Sequence, residues 1–167
     1  PGEKIDIRFE SAGPLLEPVW VLWRVAEEDA WFPQLTERNW SRYEIKADCP
    51  RRFSLITSGE LVEERQVGKR QHVHYSISKP VATTTFYFGA FETTELESEG
   101  FAFHVHTDLV FSAGSDLAKS VTELKNAYLF YNEYLGKKSP RVVHIVGTPT
   151  GHGRGFDGII LLAVGGI

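Results

Sequence analysis

Residues 115–135 have the sequence S-D-L-A-K-S-V-T-E-L-K-N-A-Y-L-F-Y-N-E-Y-L, and this stretch decides the fold class. Its apolar side chains recur every three or four residues, which places them on one face of a helix. Ser115 can cap the first turn, and Gly136 suits the position just after the last turn. The stretch therefore predicts a helix over 115–135. The residues expected on its buried face are Leu117, Val121, Leu124, Tyr128, Tyr131 and Leu135.

The segments on both sides of this helix are predicted to be short strands. Apolar and polar residues alternate in many of them, and turn-forming residues such as Gly59 and Lys79-Pro80 separate them. The polar stretch from Thr93 to Gly100 is expected to be a boundary. The predicted strands cover residues 5–9, 19–25, 43–49, 53–57, 61–65, 72–78, 83–90, 101–107, 141–146 and 159–164. This order predicts an α+β fold that is mostly β: an antiparallel β-sandwich or sheet block, followed by a small strand-helix-strand-strand lobe.

Composition excludes several classes of protein. A chain of 167 residues with 42% hydrophobic and 24% charged residues has the usual globular balance. A net charge of −4 argues against nucleic acid as the main partner. No apolar run reaches the roughly 20 residues of a membrane span, so none is expected. Cys49 is the only cysteine, which rules out a disulfide framework and predicts a buried, inert thiol.

Two His-x-His pairs are candidate metal ligands, because residues two apart on a strand point to the same face. They are His72/His74 and His104/His106, and Asp108 is the nearby candidate for a third ligand. The alternative for each pair is a pair of polar positions on a solvent-exposed face. No metal ligand is assigned from the sequence, and whether either pair binds a metal stays open.

A glycine-rich segment, G-T-P-T-G-H-G-R-G-F-D-G, occupies residues 147–158. A dinucleotide-binding loop would open a helix, whereas this segment leads into the strand-forming residues that follow Gly158. Two interpretations stay open: an anion-binding nest of backbone amides helped by Arg154, and a connection whose glycines supply positive φ angles. The sequence contains no His-Glu-x-x-His motif and no ordered Ser-His-Asp set, so no catalytic residue is predicted.

The order of segments resembles the gluzincin zinc aminopeptidases, the alanyl-aminopeptidase and leukotriene-hydrolase group. The resemblance covers nearly the whole chain. The stretches that are similar to segments of that family are P-G-E-K-I-D-I-R-F-E-S-A-G at 1–13, Trp31–Pro33, Tyr43–Ile45, Cys49-Pro50, Ser58–Val62, Ser78–Val81, Phe86–Gly89, Phe130–Gly136, Val142–Val146, the glycine-rich segment and Ile159–Leu161.

The resemblance implies a division of the chain. Residues 1–97 would be the β-rich later part of the N-terminal domain, and residues 98–167 the start of a thermolysin-like catalytic lobe. The zinc-binding helix would follow Ile167, so the chain is expected to be a non-catalytic fragment without a cofactor, and zinc is expected in the parent protein. Its partners would be the remainder of the catalytic domain and, in the parent, a peptide substrate.

The resemblance also implies a substrate-binding loop. The family carries Gly-x-Met-Glu-Asn-x-Gly here, and its Glu holds the free α-amino group of a peptide. Aligning the last glycine on Gly158 puts Gly155 at the Glu position, and Asp157 is the candidate replacement. Gly153, Gly155, Phe156 and Asp157 would line the peptide cleft, and the strand from Ile159 would offer it backbone hydrogen bonds. The alternative is an inactive, peptidase-like β-rich module for binding or support. A His-Glu-x-x-His motif shortly after Ile167 would separate the two, so whether the parent is an enzyme stays open.

Overall fold

The computed structural model describes residues 17–19, 22–24, 40–107, 115–136, 140–148 and 153–163. Within these ranges the chain forms twelve strands and one helix. The helix is α1 (Ser115–Leu135). The strands are β1 (Glu17–Val19), β2 (Leu22–Arg24), β3 (Ser41–Pro50), β4 (Ser54–Thr57), β5 (Glu60–Val67), β6 (Arg70–Val81), β7 (Phe86–Gly89), β8 (Glu92–Ser98), β9 (Phe101–Thr107), β10 (Val142–Thr148), β11 (Arg154–Phe156) and β12 (Ile159–Ala163).

The strands form three sheets. Sheet A has the order β1-β2-β7-β4 and sheet B the order β3-β6-β5, and both are antiparallel. Sheet C has the order β11-β12-β10-β9-β8. Its three central strands, β9, β10 and β12, are parallel, and β8 and β11 flank them in the antiparallel sense. The predicted α+β, mostly β fold is therefore confirmed, and the lobe that follows the antiparallel sheets is built on a mixed sheet.

Helix α1 has the predicted bounds, and Gly136 follows it with a φ angle of 59°. The helix packs through Leu117, Val121, Leu124 and Tyr128 on sheet C. The expectation for Tyr131 and Leu135 is wrong, because they are 58% and 52% exposed. A helix of 21 residues is about 31 Å long, whereas a strand of seven residues spans about 23 Å, so the last turn extends beyond the sheet.

The two faces of sheet C bury different sets of side chains. One face packs Phe103 and Ile145 against α1. The opposite face packs Ile159 and Leu161 against side chains of sheet A, among them Leu22. Because side chains alternate along a strand, this second face also receives every second residue of β9 and β10. Those residues include the histidines of both strands.

Several strand predictions need correction. The run 19–25 is not one strand, because β1 ends at Val19 and pairs in the antiparallel sense with β2, which begins at Leu22. β6 does not end at Lys79-Pro80 but continues to Val81. Proline is accepted there because the pairing of β6 with β3 shifts in register between Ser41 and Tyr43, which leaves a stretch without regular ladder bonds. The stretch 93–100 is not a boundary loop, since β8 pairs with β9 along its length. The division at residues 97 and 98 stays a prediction, and sheet C itself begins at Glu92.

The strands on either side of Gly59 also differ from the prediction, because they do not pair with each other. β4 belongs to sheet A and β5 to sheet B, so the bend at Gly59 carries the chain from one sheet to the other. Gly59 has a φ angle of 95°, and a Cβ atom added there would lie 2.4 Å from the Ser76 carbonyl oxygen. Only glycine fits this crossing.

Two further expectations concern the ends of the chain and the membrane. The predicted strand at 5–9 lies outside the described residues. Within the described ranges, no helix has both the length and the apolar character that crossing a bilayer requires.

Candidate functional site

Three histidines meet on the face of sheet C that is turned away from α1. His104 and His106 come from β9 and His144 comes from β10, and we call them the histidine cluster. One ring nitrogen of each lies within 4.8 Å of the others. His106 is 5% exposed, and the other two are half-buried. The solvent-face alternative for the second His-x-His pair is therefore wrong for His106.

The parallel connection through α1 brings the third histidine into place. β9 leads into α1, and α1 returns the chain to β10, which pairs with β9 in the parallel sense. The register sets His144 directly beside His104. Neighbouring residues in register share a face of the sheet, so all three rings point to the same side. The helix thus supplies the crossover that makes the cluster.

A chain of hydrogen bonds orders two of the rings. The His106 Nδ1 atom lies 2.9 Å from Thr93 Oγ1 on β8, and the His106 Nε2 atom lies 2.9 Å from His144 Nδ1. Thr93 is the cross-strand partner of His106, so the β8–β9 hairpin fixes the first contact. The rings of His104 and His144 are 5.2 Å apart between centroids and nearly perpendicular, at 87°.

The buried rings are neutral. Burial, followed by the neighbouring His144 and His104 rings, lowers the pKa of His106 to about 3. Burial, followed by His104, lowers the pKa of His144 to about 4. A neutral imidazole keeps one lone pair, which is the form that binds a metal ion. His106 and His144 are therefore in the form that binds a metal ion at neutral pH.

The cluster lines a cavity of about 740 Å³ between sheets B and C and strand β4. Besides the three histidines, the wall carries the acidic residues Glu60, Glu64 and Asp157 and the basic residues Lys79 and Arg141. Glu64 accepts a hydrogen bond of 2.6 Å from Gln71 Nε2. The cavity thus carries both signs of charge beside apolar side chains such as Leu55 and Ile77.

The glycine-rich segment reaches this cavity through the turn at Asp157-Gly158. This turn joins β11 to β12, with Phe156 and Ile159 as facing residues. Gly158 has a φ angle of 80°, which glycine adopts without strain. The interpretation as a connection with positive φ angles is therefore confirmed at Gly158 but not at Gly153 or Gly155, since residues 154–156 form the paired strand β11. No helix begins there.

The four predicted cleft residues do not share one surface. Asp157 lines the cavity, whereas Gly153, Gly155 and Phe156 do not belong to its wall. Phe156 packs instead on the apolar cluster between sheets A and C. Their role in binding stays a prediction. The expectation for the strand from Ile159 is wrong for residues 159–161, because β12 pairs there with both β10 and β11.

The first His-x-His pair lies on sheet B and contacts acidic side chains of β3. His74 Nε2 is 2.5 Å from Glu44 Oε2, and His72 Nδ1 is 3.7 Å from Asp48 Oδ2. Within the described ranges, this pair does not belong to a group of three candidate ligands. Asp108, the predicted third ligand of the other pair, lies outside the described residues.

His144 was missed by sequence reasoning. It follows His106 by 38 residues, so no local spacing connects them. The available signal was a single imidazole inside the apolar run Val142–Val146, which is predicted to be a buried strand. A polar residue in such a run needs a partner, and here the partner is another histidine.

The predicted inert thiol has the expected surroundings. Cys49 is 4% exposed and its Sγ atom lies 3.9 Å from the Phe53 carbonyl oxygen. Burial, followed by the charge of Asp48, raises the pKa of the thiol, so the thiolate form is disfavoured.

Comparison with known proteins adds no identity. No protein-family model matches the chain, and no curated protein matches it. The site itself offers two kinds of chemistry: nitrogen ligands for a metal ion, and the Asp157 carboxylate in the wall of the cavity.

Proposed function

We propose that this chain forms one wall of a peptide-binding cleft in a protein related to the zinc metallopeptidases, and that it contributes substrate contacts and no catalytic zinc motif. The observation that carries the proposal is the position of Asp157. Asp157 lies in the segment that resembles the substrate loop of the gluzincin aminopeptidases, and it lines the cavity of about 740 Å³.

The chemistry of Asp157 suits a peptide N-terminus. A protonated α-amino group is a cation with three hydrogen-bond donors, and a carboxylate is its strongest partner among side chains. The tight turn holds Asp157 between two paired strands, so the carboxylate is carried by a fixed piece of backbone. Asp157 is exposed and remains accessible to a ligand that enters from solvent.

The size and lining of the cavity also support this proposal. Ligand pockets in proteins measure about 300–1,000 Å³, and this cavity falls within that range. Arg141 and Lys79 lie in the same wall as Asp157. A peptide bound by its amino group would therefore find cationic groups for backbone carbonyls or acidic side chains further along the cavity.

The proposal is tested by peptide binding in the presence of a metal chelator. The probe is a short alanine-rich peptide with a C-terminal fluorophore, in two forms, one with a free N-terminus and one acetylated. Fluorescence anisotropy should show tighter binding of the free form. Asp157→Asn should weaken that form about tenfold or more, because a charge-assisted hydrogen bond contributes about 1.5–3 kcal/mol.

A matched control is Glu60→Gln, which removes another carboxylate from the wall of the same cavity. It should leave the preference for the free N-terminus unchanged. Equal affinities of the wild-type chain for the two peptides would contradict the proposal, and so would an equal loss in the Asp157 and Glu60 variants.

A further inference from the structure

We propose that His104, His106 and His144 bind one divalent transition-metal ion, with zinc(II) as the best match, and that its fourth coordination position faces the cavity. This site goes beyond the peptide-binding proposal and does not depend on it. It also differs from the zinc site that the family resemblance implies, since the sequence has no His-Glu-x-x-His motif.

The spacing of the ring nitrogens is close to that of a coordinated set. With zinc–nitrogen bonds of about 2.0–2.1 Å and tetrahedral angles, two ligand nitrogens lie about 3.3 Å apart. The 2.9 Å between His106 Nε2 and His144 Nδ1 would open by about 0.4 Å on binding. The remaining distances, at most 4.8 Å, would close by about 1.5 Å or less. Small rotations of the half-buried His104 and His144 side chains would bring the ring nitrogens to these distances.

The surroundings of His106 favour the ligand form. A coordinating histidine normally donates its second ring N–H to a neighbouring acceptor, which fixes the tautomer and the ring plane. Thr93 Oγ1 lies 2.9 Å from His106 Nδ1 and can accept that hydrogen bond. In this tautomer the His106 Nε2 lone pair points to the space between the three rings. Thr93 thus acts as a positioning residue.

The histidine cluster lies in surroundings that shield it in part from solvent. The face of sheet C that carries the three rings otherwise packs apolar side chains such as Val146 and Ile159. Imidazoles placed there lose hydration, so their nitrogens need partners within the protein. Both nitrogens of His106 have one, Thr93 and His144, and one nitrogen of His144 is engaged in the same contact. A bound cation would replace the proton shared by His106 Nε2 and His144 Nδ1, and the nitrogen that carried this proton would then offer its lone pair to the ion.

The ligand set selects the class of metal. Imidazole nitrogen suits zinc, copper, nickel and iron, whereas calcium and magnesium require oxygen ligands. Three neutral ligands leave the full 2+ charge on the ion. Three protein ligands with an open position are typical of zinc sites that hold a water molecule or a substrate, and closed sets of four are typical of structural sites. The open position here would face the cavity.

The test is titration of the metal-free 167-residue chain with cobalt(II), followed by displacement with zinc(II). Tetrahedral cobalt(II) gives visible absorption bands that report the ligand set. The expected result is one ion per chain, with the bands lost when zinc(II) is added. In parallel, the ring nitrogens of His106 and His144 in the wild-type chain should shift in NMR spectra on zinc binding. Absence of saturable one-to-one binding would overturn the proposal without recourse to any variant.

Variants then locate the ion. His104→Gln should lower the affinity at least tenfold. The matched control is the pair His72→Gln and His74→Gln, which removes two imidazoles of sheet B and should leave binding unchanged. Thr93→Val should weaken binding about 10–100-fold, as loss of an outer hydrogen bond does at other metal sites. Thr94→Val, one residue along the same strand, should have no effect. Binding that survives His104→Gln, or that is lost in the sheet B variant, would place the ion elsewhere.

Discussion

His106 Nε2 lies 2.9 Å from His144 Nδ1, although the two residues are 38 positions apart in the chain. Both rings have a pKa lowered by burial, to about 3 and about 4, so both are neutral at neutral pH. A single proton therefore lies between the two nitrogens, with one ring as donor and the other as acceptor. The contact holds β9 and β10 together on the face that α1 does not cover.

This contact predicts the effect of replacing His144. His144→Leu removes the partner and leaves His106 Nε2 buried without a hydrogen bond, which should lower the free energy of unfolding by about 1–3 kcal/mol. His144→Gln keeps a polar side chain and should recover part of the loss. Urea denaturation with a chelator present measures both variants. Equal stability of His144→Leu and the wild type would show that the hydrogen bond contributes nothing to the fold.

The helix and most strands could be predicted from the sequence because their signals are local. α1 has a continuous apolar period, a serine at its start and a glycine after its end, and its bounds agree with the structure. Pro80 was misleading, because the consequence of a proline depends on whether the ladder needs its N–H group. The pairing of β6 with β3 determines whether an N–H group is needed at this position, and the local sequence does not predict that pairing.

The candidate site was predicted only in part for the same reason. The spacing of His104 and His106 indicated two candidate ligands on one face of a strand. The third ligand depends on the parallel register of β9 and β10, which the crossover through α1 fixes. Asp157 reaches the cavity through a two-residue turn, so its position also follows from strand pairing.

The alternation of side chains along β10 predicts unequal losses of stability when two adjacent valines are replaced. Val143 is fully buried against α1, whereas Val142 is 41% exposed. Val143→Ala should lower the free energy of unfolding by about 2 kcal/mol, through lost burial and the cavity it leaves. Val142→Ala should change it by less than about 0.5 kcal/mol. Chemical denaturation of the two variants checks this, and similar losses for both would contradict the described register of sheet C.

Two glycines with positive φ angles predict unequal costs of an added methyl group. At Gly59 a Cβ atom would meet the Ser76 carbonyl oxygen at 2.4 Å and the Ile77 side chain at 2.8 Å. Gly59→Ala should therefore cost about 3 kcal/mol or more. Gly68 has a φ angle of 60° and no atom within 4 Å of an added Cβ, so Gly68→Ala should cost only about 1–2 kcal/mol. Thermal unfolding compares them, and a cost at Gly59 no larger than at Gly68 would argue against the crossing between sheets A and B.

Tyr75 predicts a loss of stability at alkaline pH. Its hydroxyl donates to the Leu55 carbonyl oxygen at 3.2 Å, and burial, followed by the negative charge of Glu64, raises its pKa to about 12. The unfolded chain releases this proton near pH 10. The folded chain thus holds the proton more tightly, so the contribution is complete below about pH 10 and is lost as the pH rises towards 12.

The measurement is the free energy of unfolding in urea between pH 9 and about pH 12. The wild-type slope in this range should include up to about 1.4 kcal/mol per pH unit from Tyr75. Tyr75→Phe should have a lower stability at pH 9, through the lost hydrogen bond, and a flatter slope above pH 10. Tyr131→Phe is the matched control, because Tyr131 is 58% exposed, and it should keep the wild-type slope. If the Tyr75 and Tyr131 variants have the same slope, the alkaline loss arises from another group, and the hydroxyl of Tyr75 is not held between β6 and β4 as described.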